Sequence, residues 1–565
     1  MKVIDTIDVI VRAPWRWRIS GALLFFISPL MLAAQDKTKD WEGALDAVEI
    51  EIVKERQITL PKASRNFEKI PPRASEPIKP PITYDFRAFT FQTPQINPQL
   101  RPLKLKTEDP SKVYGSYVSV GYGNYVSPYL EAFINSRKDK NKLVGAHAYL
   151  NSSDKGPVDG KNSGGGLAGI SVYGSSFSES FSVSGNAGFE RRSTHFYGYV
   201  PGSTVEAADI KQTFDLFKLG AEVANARNSD FAFKLGGGFS YLADKFDARE
   251  TEVDFDFQSG YKIDDDKRIK IDATYNIITR KDVLIEAKPR HLFSVNPAYV
   301  FSPIENLKLT VGLVGAFEND TIDSKNLHLY PDFRATYPIS PSVNIIGSLT
   351  GGMEKVSLQS LSNENLWLAP NAGIFHTNKV FDLAFGMQAK VGNKVSVDAG
   401  LSMASLRNWY FFTNTNEDQA KFNTIYDKGL TKRSNLYASL GFTEANRAKF
   451  LLRGDYFAYT TDKVEEAWHR PTYKLTLDAS YNVYDKILLT ANLITQGGMK
   501  AREPVTLITT KLDAAFDLNA GVEYLFSDSF SFFVKFNNIT SNKYPVFLNY
   551  PVRGFQVLGG ITWSF

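Results

Sequence analysis

The sequence predicts an all-β fold, an antiparallel transmembrane β-barrel of about 22 strands. Three observations predict it: apolar and polar residues alternate along most of the chain, the connections alternate between short and long, and the last strand ends flush with the chain. Alternation with period two is typical of a strand that has a different solvent on each side. Because charged side chains are costly against lipid, we assign the apolar face to lipid and the polar face to a wet interior.

The last strand, at residues 555–565, shows this alternation up to the final residue. One face carries large apolar side chains, and we predict that these close the barrel and form its assembly signal: Phe555, Val557, Ile561, Trp563 and Phe565. The last strand of a barrel must pair with the first, since an open edge cannot exist in lipid. We therefore expect the outer-membrane assembly machinery to bind this strand.

The same rhythm runs from residue 114 to the end of the chain. In the clearest stretch, residues 473–483, Leu475 and Leu477 face one way while Lys474 and Asp478 face the other. Strand-like runs of roughly 9 to 15 residues are close to the length that a tilted strand needs to cross a bilayer. Counting these runs gives about 22 strands, which is the size of the plugged outer-membrane transporters.

The connections between the runs alternate in length. Short ones include 392–394, 484–486 and 527–529, and long ones include 359–379, 413–431, 497–509 and 541–553. Bacterial barrels have short turns on the periplasmic side and long loops outside. Both chain ends are then expected in the periplasm, which requires an even number of strands.

Composition and charge exclude several classes of function. The net charge is only +4, so the chain has no basic surface for nucleic acid. It has no cysteine, which excludes disulfides, thiolate metal sites and a catalytic thiol. The 40 glycines and 13% aromatic residues fit many pleated strands with interfacial rings.

The N-terminal part has a different character. Residues 1–34 have the basic, apolar and small-residue order of a signal peptide, with a single N-terminal anchor helix as the alternative. Residues 35–113 hold ten of the 26 prolines, and we expect an extended, proline-rich periplasmic arm or a disordered linker. The barrel is expected at 114–565.

No enzymatic or cofactor site is predicted. The six histidines lack ligand partners at metal spacing, so we expect neither a metal nor another cofactor. A hydrolase using His195 with Ser193, or His469, remains an alternative, but the sequence fixes no catalytic geometry for either.

Four aromatic residues are expected near the outer ends of strands: Trp367, Trp409, Tyr410 and Trp468. As a set they predict an interfacial aromatic belt. The alternative is a rim that contacts a sugar or another ligand, because aromatic faces stack on apolar surfaces.

The C-terminal region resembles the last two strands of TonB-dependent outer-membrane receptors. The matching features are Asn537-Asn538, Lys543-Tyr544, Arg553-Gly554-Phe555 and the closing Phe565, and residues 363–371 resemble a mid-barrel loop of that family. The resemblance covers residues 114–565 and implies a bacterial outer-membrane barrel. Those receptors carry a globular plug domain before the first strand, and the sequence departs from them there: only the proline-rich residues 35–113 lie between signal and barrel, so we expect no plug domain. A faint TonB-box-like segment is expected at Ala47, Val48, Glu49, Ile50, Glu51, Ile52 and Val53.

The sequence therefore predicts a plugless receptor-like barrel, acting as a transport channel or as the membrane platform of an outer-membrane complex. The alternative is a TonB-dependent nutrient importer whose plug or lid comes from a partner. Expected partners are outer-membrane lipid and a plug-like or surface lipoprotein, with TonB as a partner in the importer alternative. A wide lumen would leak solutes, so we expect the arm, folded loops or another protein to occupy it.

Overall fold

A computed structural model of the chain describes residues 115–136, 139, 141–225, 229–445 and 447–565. Twenty-two of its strands form one antiparallel sheet, and the first strand pairs with both the second and the last. The sheet is therefore a closed barrel, as the sequence predicts. The signal peptide at 1–34, the proline-rich arm at 35–113 and the TonB-box-like segment at 47–53 lie outside the described residues.

The strands follow the chain around the ring, so almost every neighbour in sequence is a neighbour in the wall. Their bounds are β1 Tyr117–Gly123, β2 Ser127–Asn135, β3 Lys142–Ser153, β4 Gly165–Phe177, β5 Phe181–His195, β6 Lys211–Asn225, β7 Phe231–Asp244, β8 Arg249–Lys262, β9 Arg268–Lys281, β10 Lys288–Ile304, β11 Leu307–Glu318, β12 Leu327–Ser340, β13 Val343–Glu354, β14 Thr377–Val391, β15 Val395–Asn414, β16 Phe422–Glu444, β17 Ala448–Thr460, β18 Tyr473–Val483, β19 Ile487–Gly497, β20 Lys500–Arg502, β21 Thr509–Lys511, β22 Ala515–Leu525, β23 Phe530–Asn537, β24 Pro545–Phe547, β25 Tyr550–Pro551 and β26 Gln556–Ser564.

Four of these strands lie outside the barrel wall. β20 pairs with β21, and β24 pairs with β25, in two small hairpins within the connections that precede β22 and β26. In the part of the chain that the structure describes, one α-helix, α1, spans Leu358–Glu364, and two 3₁₀ turns span Gly160–Ser163 and Ile322–Ser324. No helix among the described residues is long and apolar enough to span a membrane.

The ring closes between β1 and β26. Tyr117 lies opposite Ser564, and the pairing continues to Gly123 opposite Leu558. The outward face of β26 carries Ile561 and Trp563, and the Trp563 ring stacks on Phe530 and Phe565 at centroid distances of 6.2 and 4.5 Å. The residues predicted to close the barrel thus lie at the closing strand, while their contact with the assembly machinery stays a prediction.

The two faces of the wall differ as the alternation predicts. On β8, Phe255 is 50% exposed on the outer, lipid-facing surface, whereas Glu252, Asp254 and Asp256 point into the lumen. Cross-strand partners lie on the same face, so Gly238 opposite Asp254 faces the lumen as well. The lipid-facing surface is therefore apolar and the lumenal surface is polar and charged.

The sequence places one connection incorrectly. Residues 413–431 are expected to form a loop, but β15 and β16 continue to Asn414 and from Phe422, which lie opposite each other. The outer ends of β15 and β16 extend beyond the membrane because they pack there against the other outer connections. A run of alternating residues gives no signal that distinguishes a strand in lipid from its continuation beyond lipid.

We predict that closure depends on small residues at the seam. A Cβ added at Gly560 would overlap the Val120 carbonyl oxygen and the Phe533 ring, whereas nothing lies within 4 Å of a Cβ at Gly352 on β13. Overpacking of this kind typically costs about 1–3 kcal/mol. Gly560→Ala should therefore lower the fraction of heat-modifiable, folded barrel in outer membranes several-fold, while the matched control Gly352→Ala should leave it unchanged. Equal folding of both variants would contradict the seam geometry.

Candidate functional site

The long connections lie at one end of the barrel, which we call the outer end; the short turns lie at the inner end. Three outer connections, 196–210, 355–376 and 538–555, leave the ring between β5 and β6, β13 and β14, and β23 and β26. Around the ring these points are eight, eight and six strands apart. They therefore divide the circumference into approximate thirds.

The three connections meet through three aromatic rings, which we call the central rings: Tyr197, Trp367 and Tyr550. The centroid of Tyr550 lies 4.7 Å from that of Tyr197 and 4.0 Å from that of Trp367, and Tyr197 and Trp367 are 5.7 Å apart. A point reached from three separate sides of a ring must lie over its interior. The central rings therefore bridge the mouth of the barrel.

The central rings belong to a larger apolar core. We call outer cap this core, the outer connections that supply it, and the adjoining connection 461–472 with the buried cluster of Trp409, Phe411 and Trp468, because the His469 ring of that connection contacts Phe422 and Phe547 of the core. The buried members of the core come from six parts of the chain: Tyr197, Phe214, Leu216, Leu242, Ala248, Val356, Leu358, Leu361, Leu368, Ile374, Phe412, Phe422, Phe547 and Tyr550. Tyr550, Leu361 and Phe422 are fully buried. The Tyr550 hydroxyl also donates to the carbonyl oxygen of Ala420, in the β15–β16 connection. The outer cap is thus packed like the core of a small domain.

The connection 355–376 crosses from β13 and β14 to the wall on β8. It begins α1 with a capping box, in which the Ser357 hydroxyl accepts from Ser360 N–H at 3.1 Å and the Ser360 hydroxyl accepts from Ser357 N–H at 2.9 Å. The next two free N–H groups, of Leu358 and Gln359, donate to the Glu250 carboxylate at 2.7 and 2.9 Å. Glu250 lies on β8 and is almost fully buried, so it fixes the helix start to the wall five strands away from β13.

Two further charged groups hold the same connection. The Arg192 guanidinium, on β5, donates to the Ser362 carbonyl oxygen at 3.2 Å and to the Asn363 side chain. The Lys355 ammonium pairs with Glu252 on β8. Because Arg192 and Glu252 are buried while Lys355 is exposed, loss of a partner of either buried group would leave a buried charge unpaired.

The end of this connection is held by a buried Arg290–Asp320–His376 group. Arg290 forms a bidentate pair with Asp320, at 2.8 and 2.6 Å, and donates to the Val356 carbonyl oxygen at 3.0 Å. His376 donates its backbone N–H to Asp320 at 2.9 Å, while its Nδ1 accepts from Val356 N–H at 3.1 Å. Burial raises the pKa of Asp320, but the Arg290 hydrogen bonds and charge outweigh it and hold that pKa below its usual range.

Two histidines of the outer cap are neutral for the same physical reason. Burial, reinforced by the Arg290 charge, lowers the pKa of His376 to about 3. Burial likewise lowers the pKa of His469 to about 4. The His469 Nδ1 donates to the Phe412 carbonyl oxygen at 2.9 Å, and its Nε2 accepts from Leu548 N–H at 3.2 Å. His469 therefore joins its own connection to β15 and to the connection 538–555, and it does so in its neutral form only.

The four aromatic residues predicted near the outer ends are all in the outer cap. Trp409 and Trp468 belong to a second buried cluster with Phe411, and Trp468 is only 1% exposed. The Arg470 guanidinium lies 4.9 Å from the centroid of Trp409 and 5.4 Å from that of Tyr410. Trp367 is a central ring. Contact of these rings with a ligand stays a prediction, but two of them are enclosed by protein.

The histidines considered for hydrolysis have structural neighbours. The His195 Nδ1 lies 2.6 Å from the Gly164 carbonyl oxygen, and the Ser193 hydroxyl donates to the Gly166 carbonyl oxygen at 3.4 Å. Among the described residues, no group of three or more His, Asp or Glu side chains has metal-binding geometry.

Sequence reasoning missed the residues that fix the outer cap: Glu250, Arg290, Asp320, His376 and Tyr550. None of them belongs to a motif, because their partners are brought together only by closure of the ring. The one local signal is the Ser357–Ser360 capping box, which indicates a helix start inside a long connection.

Comparison with known proteins supports the barrel. No family model matches the chain, and no curated protein matches it. Solved structures match it over about 80% of its length. The siderophore receptor PirA from Acinetobacter baumannii matches at 10% identity with a TM-score of 0.61, over 81% of that chain. The FrpB iron transporter from Neisseria meningitidis matches at 9% identity with a TM-score of 0.62, over 81% of that chain, and the ferric-catecholate import receptor Fiu from Escherichia coli K12 matches at 10% identity with a TM-score of 0.60, over 82% of that chain.

This chain has the barrel fold of the TonB-dependent receptors. At identities this low, the likeness establishes the fold and leaves cargo and partners open. The fold and the apolar outer surface place the receptor-like barrel in the bacterial outer membrane.

We predict that the outer cap loosens as the pH falls from about 6.5 towards 4. A histidine whose pKa is lowered in the closed cap binds a proton more readily when the cap opens. The free energy that favours the closed cap therefore falls by roughly 1.4 kcal/mol per pH unit for each histidine as the pH drops below about 6.5. The measurement is acrylamide quenching of tryptophan fluorescence, since Trp367, Trp409 and Trp468 all lie in the cap. Quenching should rise between pH 7 and pH 5.

The matched control replaces both histidines, as His376→Gln with His469→Gln. It should remove most of the pH dependence while Trp563, on the lipid face, contributes the same quenching at both pH values. A pH-independent signal in the unaltered chain would contradict the account of the two buried histidines.

Proposed function

We propose that this chain is a receptor-like outer-membrane barrel whose outer mouth is closed by its own loops, and that it serves as the membrane platform of an outer-membrane complex. Its organisation is a signal peptide at 1–34, a proline-rich arm at 35–113 and the barrel at 114–565, without a plug domain. The meeting of the three central rings over the lumen supports a closed barrel over a permanently open diffusion channel.

The strength of the outer cap favours lasting closure. Burying one large apolar side chain contributes roughly 1.5–3 kcal/mol, so four of them contribute roughly 6 kcal/mol or more. The conformational entropy that the loops lose on ordering opposes this burial. The buried Arg290–Asp320 pair adds to closure, since opening would separate two charges already removed from water.

The second candidate is a TonB-dependent nutrient importer whose plug or lid is supplied by a partner. It is favoured by the likeness to structures described as a siderophore receptor and as iron and ferric-catecholate transporters. In this case the TonB-box-like segment at 47–53 would bind TonB, and the outer cap would open when cargo binds. A non-enzymatic role is common to both candidates.

The proposal predicts that the full chain, purified and placed in planar bilayers, shows no large steady conductance. Trp367→Ala combined with Tyr550→Ala removes two of the three central rings and should produce large openings. Val505→Ala is the matched control, because this side chain is 82% exposed at the tip of the β20–β21 hairpin, and it should behave as the unaltered chain. A large steady conductance of the unaltered chain would overturn the closed-barrel proposal.

The platform role is tested by gentle solubilisation of outer membranes. The platform proposal expects a complex of fixed stoichiometry that contains a plug-like protein or a surface lipoprotein and persists without any nutrient. The importer alternative expects association that depends on TonB and on cargo. A barrel that remains alone under all conditions would exclude the platform role.

A further inference from the structure

The lumenal wall on β1, β2 and β3 carries a row of aromatic rings. Tyr117, Phe133 and His147 are direct cross-strand partners, so all three project from the same face. The Phe133 ring lies 5.3 Å from Tyr117 and stacks on His147 at 3.8 Å, with an angle of 11° between the planes. The neighbouring positions on the other face, such as Val144 and Ile134, are exposed to lipid, so the row faces the lumen.

Two tyrosines beside this row lie flat against the wall. A Cβ added to Gly169 would be 2.5 Å from Tyr149 Cζ, and a Cβ added to Gly145 would be 2.6 Å from Tyr173 Cζ. Each ring therefore occupies the space that a side chain would fill at the neighbouring strand. A ring that covers a glycine in this way turns one face to the wall and the other to the lumen, and both tyrosines are partly exposed there.

Hydrogen bonds fix the orientation of these rings. The Tyr149 hydroxyl donates to Glu190 at 2.6 Å, and the Tyr173 hydroxyl donates to the Asn135 side-chain oxygen at 2.6 Å. At the edge of the row, the Tyr129 hydroxyl donates to Glu131 at 2.7 Å. The ring faces are thus held before any ligand arrives, which lowers the entropic cost of binding.

The polar groups at the ring edges are mainly hydrogen-bond acceptors. Glu131 is partly exposed and lies 3.9 Å from the His147 Nε2, whereas Glu190 also pairs with Arg192 at 3.3 Å. A carboxylate can accept about four hydrogen bonds, so capacity remains for ligand hydroxyls. The carboxylates of Glu131, Glu190 and Glu523 outnumber the cations Arg192 and Lys535 here and so disfavour an anionic ligand. Aromatic faces, which stack on apolar surfaces, together with free acceptors fit a neutral polyhydroxylated molecule.

We propose that the lumenal face of β1–β4, with Tyr149 and Tyr173 as its stacking surface, binds a neutral oligosaccharide; Phe133, whose face is stacked on His147, presents its edge beside them. The apolar C–H faces of the sugar rings pack on the aromatic faces, and sugar hydroxyls donate to Glu131 and to the Asn135 side chain. Four strands span roughly 14 Å, which suits a chain of sugars better than a single one. Beside the row, a cavity of about 360 Å³ lined by Tyr117, Tyr129, Glu131 and Phe533 has the size of a small-molecule site. Because the outer cap bridges the mouth, the ligand reaches this wall from the inner end.

The test is calorimetric titration of the full chain in a sugar-free detergent with maltohexaose and with tetra-N-acetylchitotetraose. At least one should bind with a dissociation constant in the millimolar range or below. Tyr149→Ala and Tyr173→Ala should each weaken binding about tenfold, as expected for loss of an aromatic contact. Tyr149→Phe, which keeps the ring and loses its hydrogen bond, should weaken it less than Tyr149→Ala.

The matched control is Tyr437→Ala. Tyr437 also lies across a glycine of the lumenal wall, since a Cβ at Gly400 would be 2.8 Å from its hydroxyl oxygen, but it is on β16, far around the ring. The dissociation constant of the Tyr437→Ala variant for each sugar should lie within twofold of that of the unaltered chain. Heat-modifiability on gels shows which variants fold, and Tyr149→Leu or Tyr173→Leu replaces the corresponding alanine variant if it does not. Absence of binding to both sugars at 10 mM, or unchanged binding by folded Tyr149→Ala and Tyr173→Ala, would overturn the proposal.

Discussion

The structure depends on one constraint: in lipid, every backbone N–H and C=O group must be paired within the protein. The pairing of β1 with β26 satisfies this for the two strands that would otherwise be edges. Closure also decides what each residue faces, because alternate side chains then look either at lipid or into the lumen. The apolar outer surface and the charged lumenal wall follow directly from this constraint.

Closure of the ring also creates the outer cap. Connections that leave the wall between β5 and β6, β13 and β14, and β23 and β26 are far apart in sequence, but the ring aims all three at the same opening. Apolar side chains that would be exposed in any single connection become buried when the connections meet. Glu250 then satisfies the free N–H groups at the start of α1, which allows a helix end to lie inside a closed core. The outer cap is therefore a consequence of barrel closure, and no single connection could form it alone.

The wall could be predicted from the sequence because its signal is local. The alternation at 473–483, and the short turns at 484–486 and 527–529, are visible in a window of a few residues, and the predicted number of 22 strands is confirmed. The ends of β15 and β16 could not be predicted, because alternation continues beyond the membrane. The outer cap could not be predicted either, since Tyr197 and Tyr550 meet across more than half of the chain. The predicted aromatic set at Trp367 and Trp409 indicated the right region without its packing.

The molecule's own connections bridge the outer mouth, and what occupies the lumen below them stays a prediction. At the outer end, folded connections bridge the opening and hold neutral histidines and paired charges in a dry environment. At the inner end, the lumenal wall presents ordered rings and acceptors. A barrel whose outer mouth is bridged and whose lumenal wall carries ordered rings fits a role in holding or recognising molecules that enter from the periplasmic side. Such a role agrees with the proposed platform.

The most direct test of the central claim is thiol cross-linking across the mouth of the barrel in outer membranes, with a bifunctional thiol reagent, because rings that meet at their tips need not bring two Cα atoms within disulfide range. The chain has no cysteine of its own, so Tyr197→Cys with Tyr550→Cys introduces the only pair, and the control pair Asp266→Cys with Asp528→Cys lies in inner turns on opposite sides of the ring. The account predicts that the reagent links the first pair within one chain and leaves the control pair unlinked. If the first pair fails to link in folded barrels, the three connections do not meet over the lumen and the closed outer end is wrong.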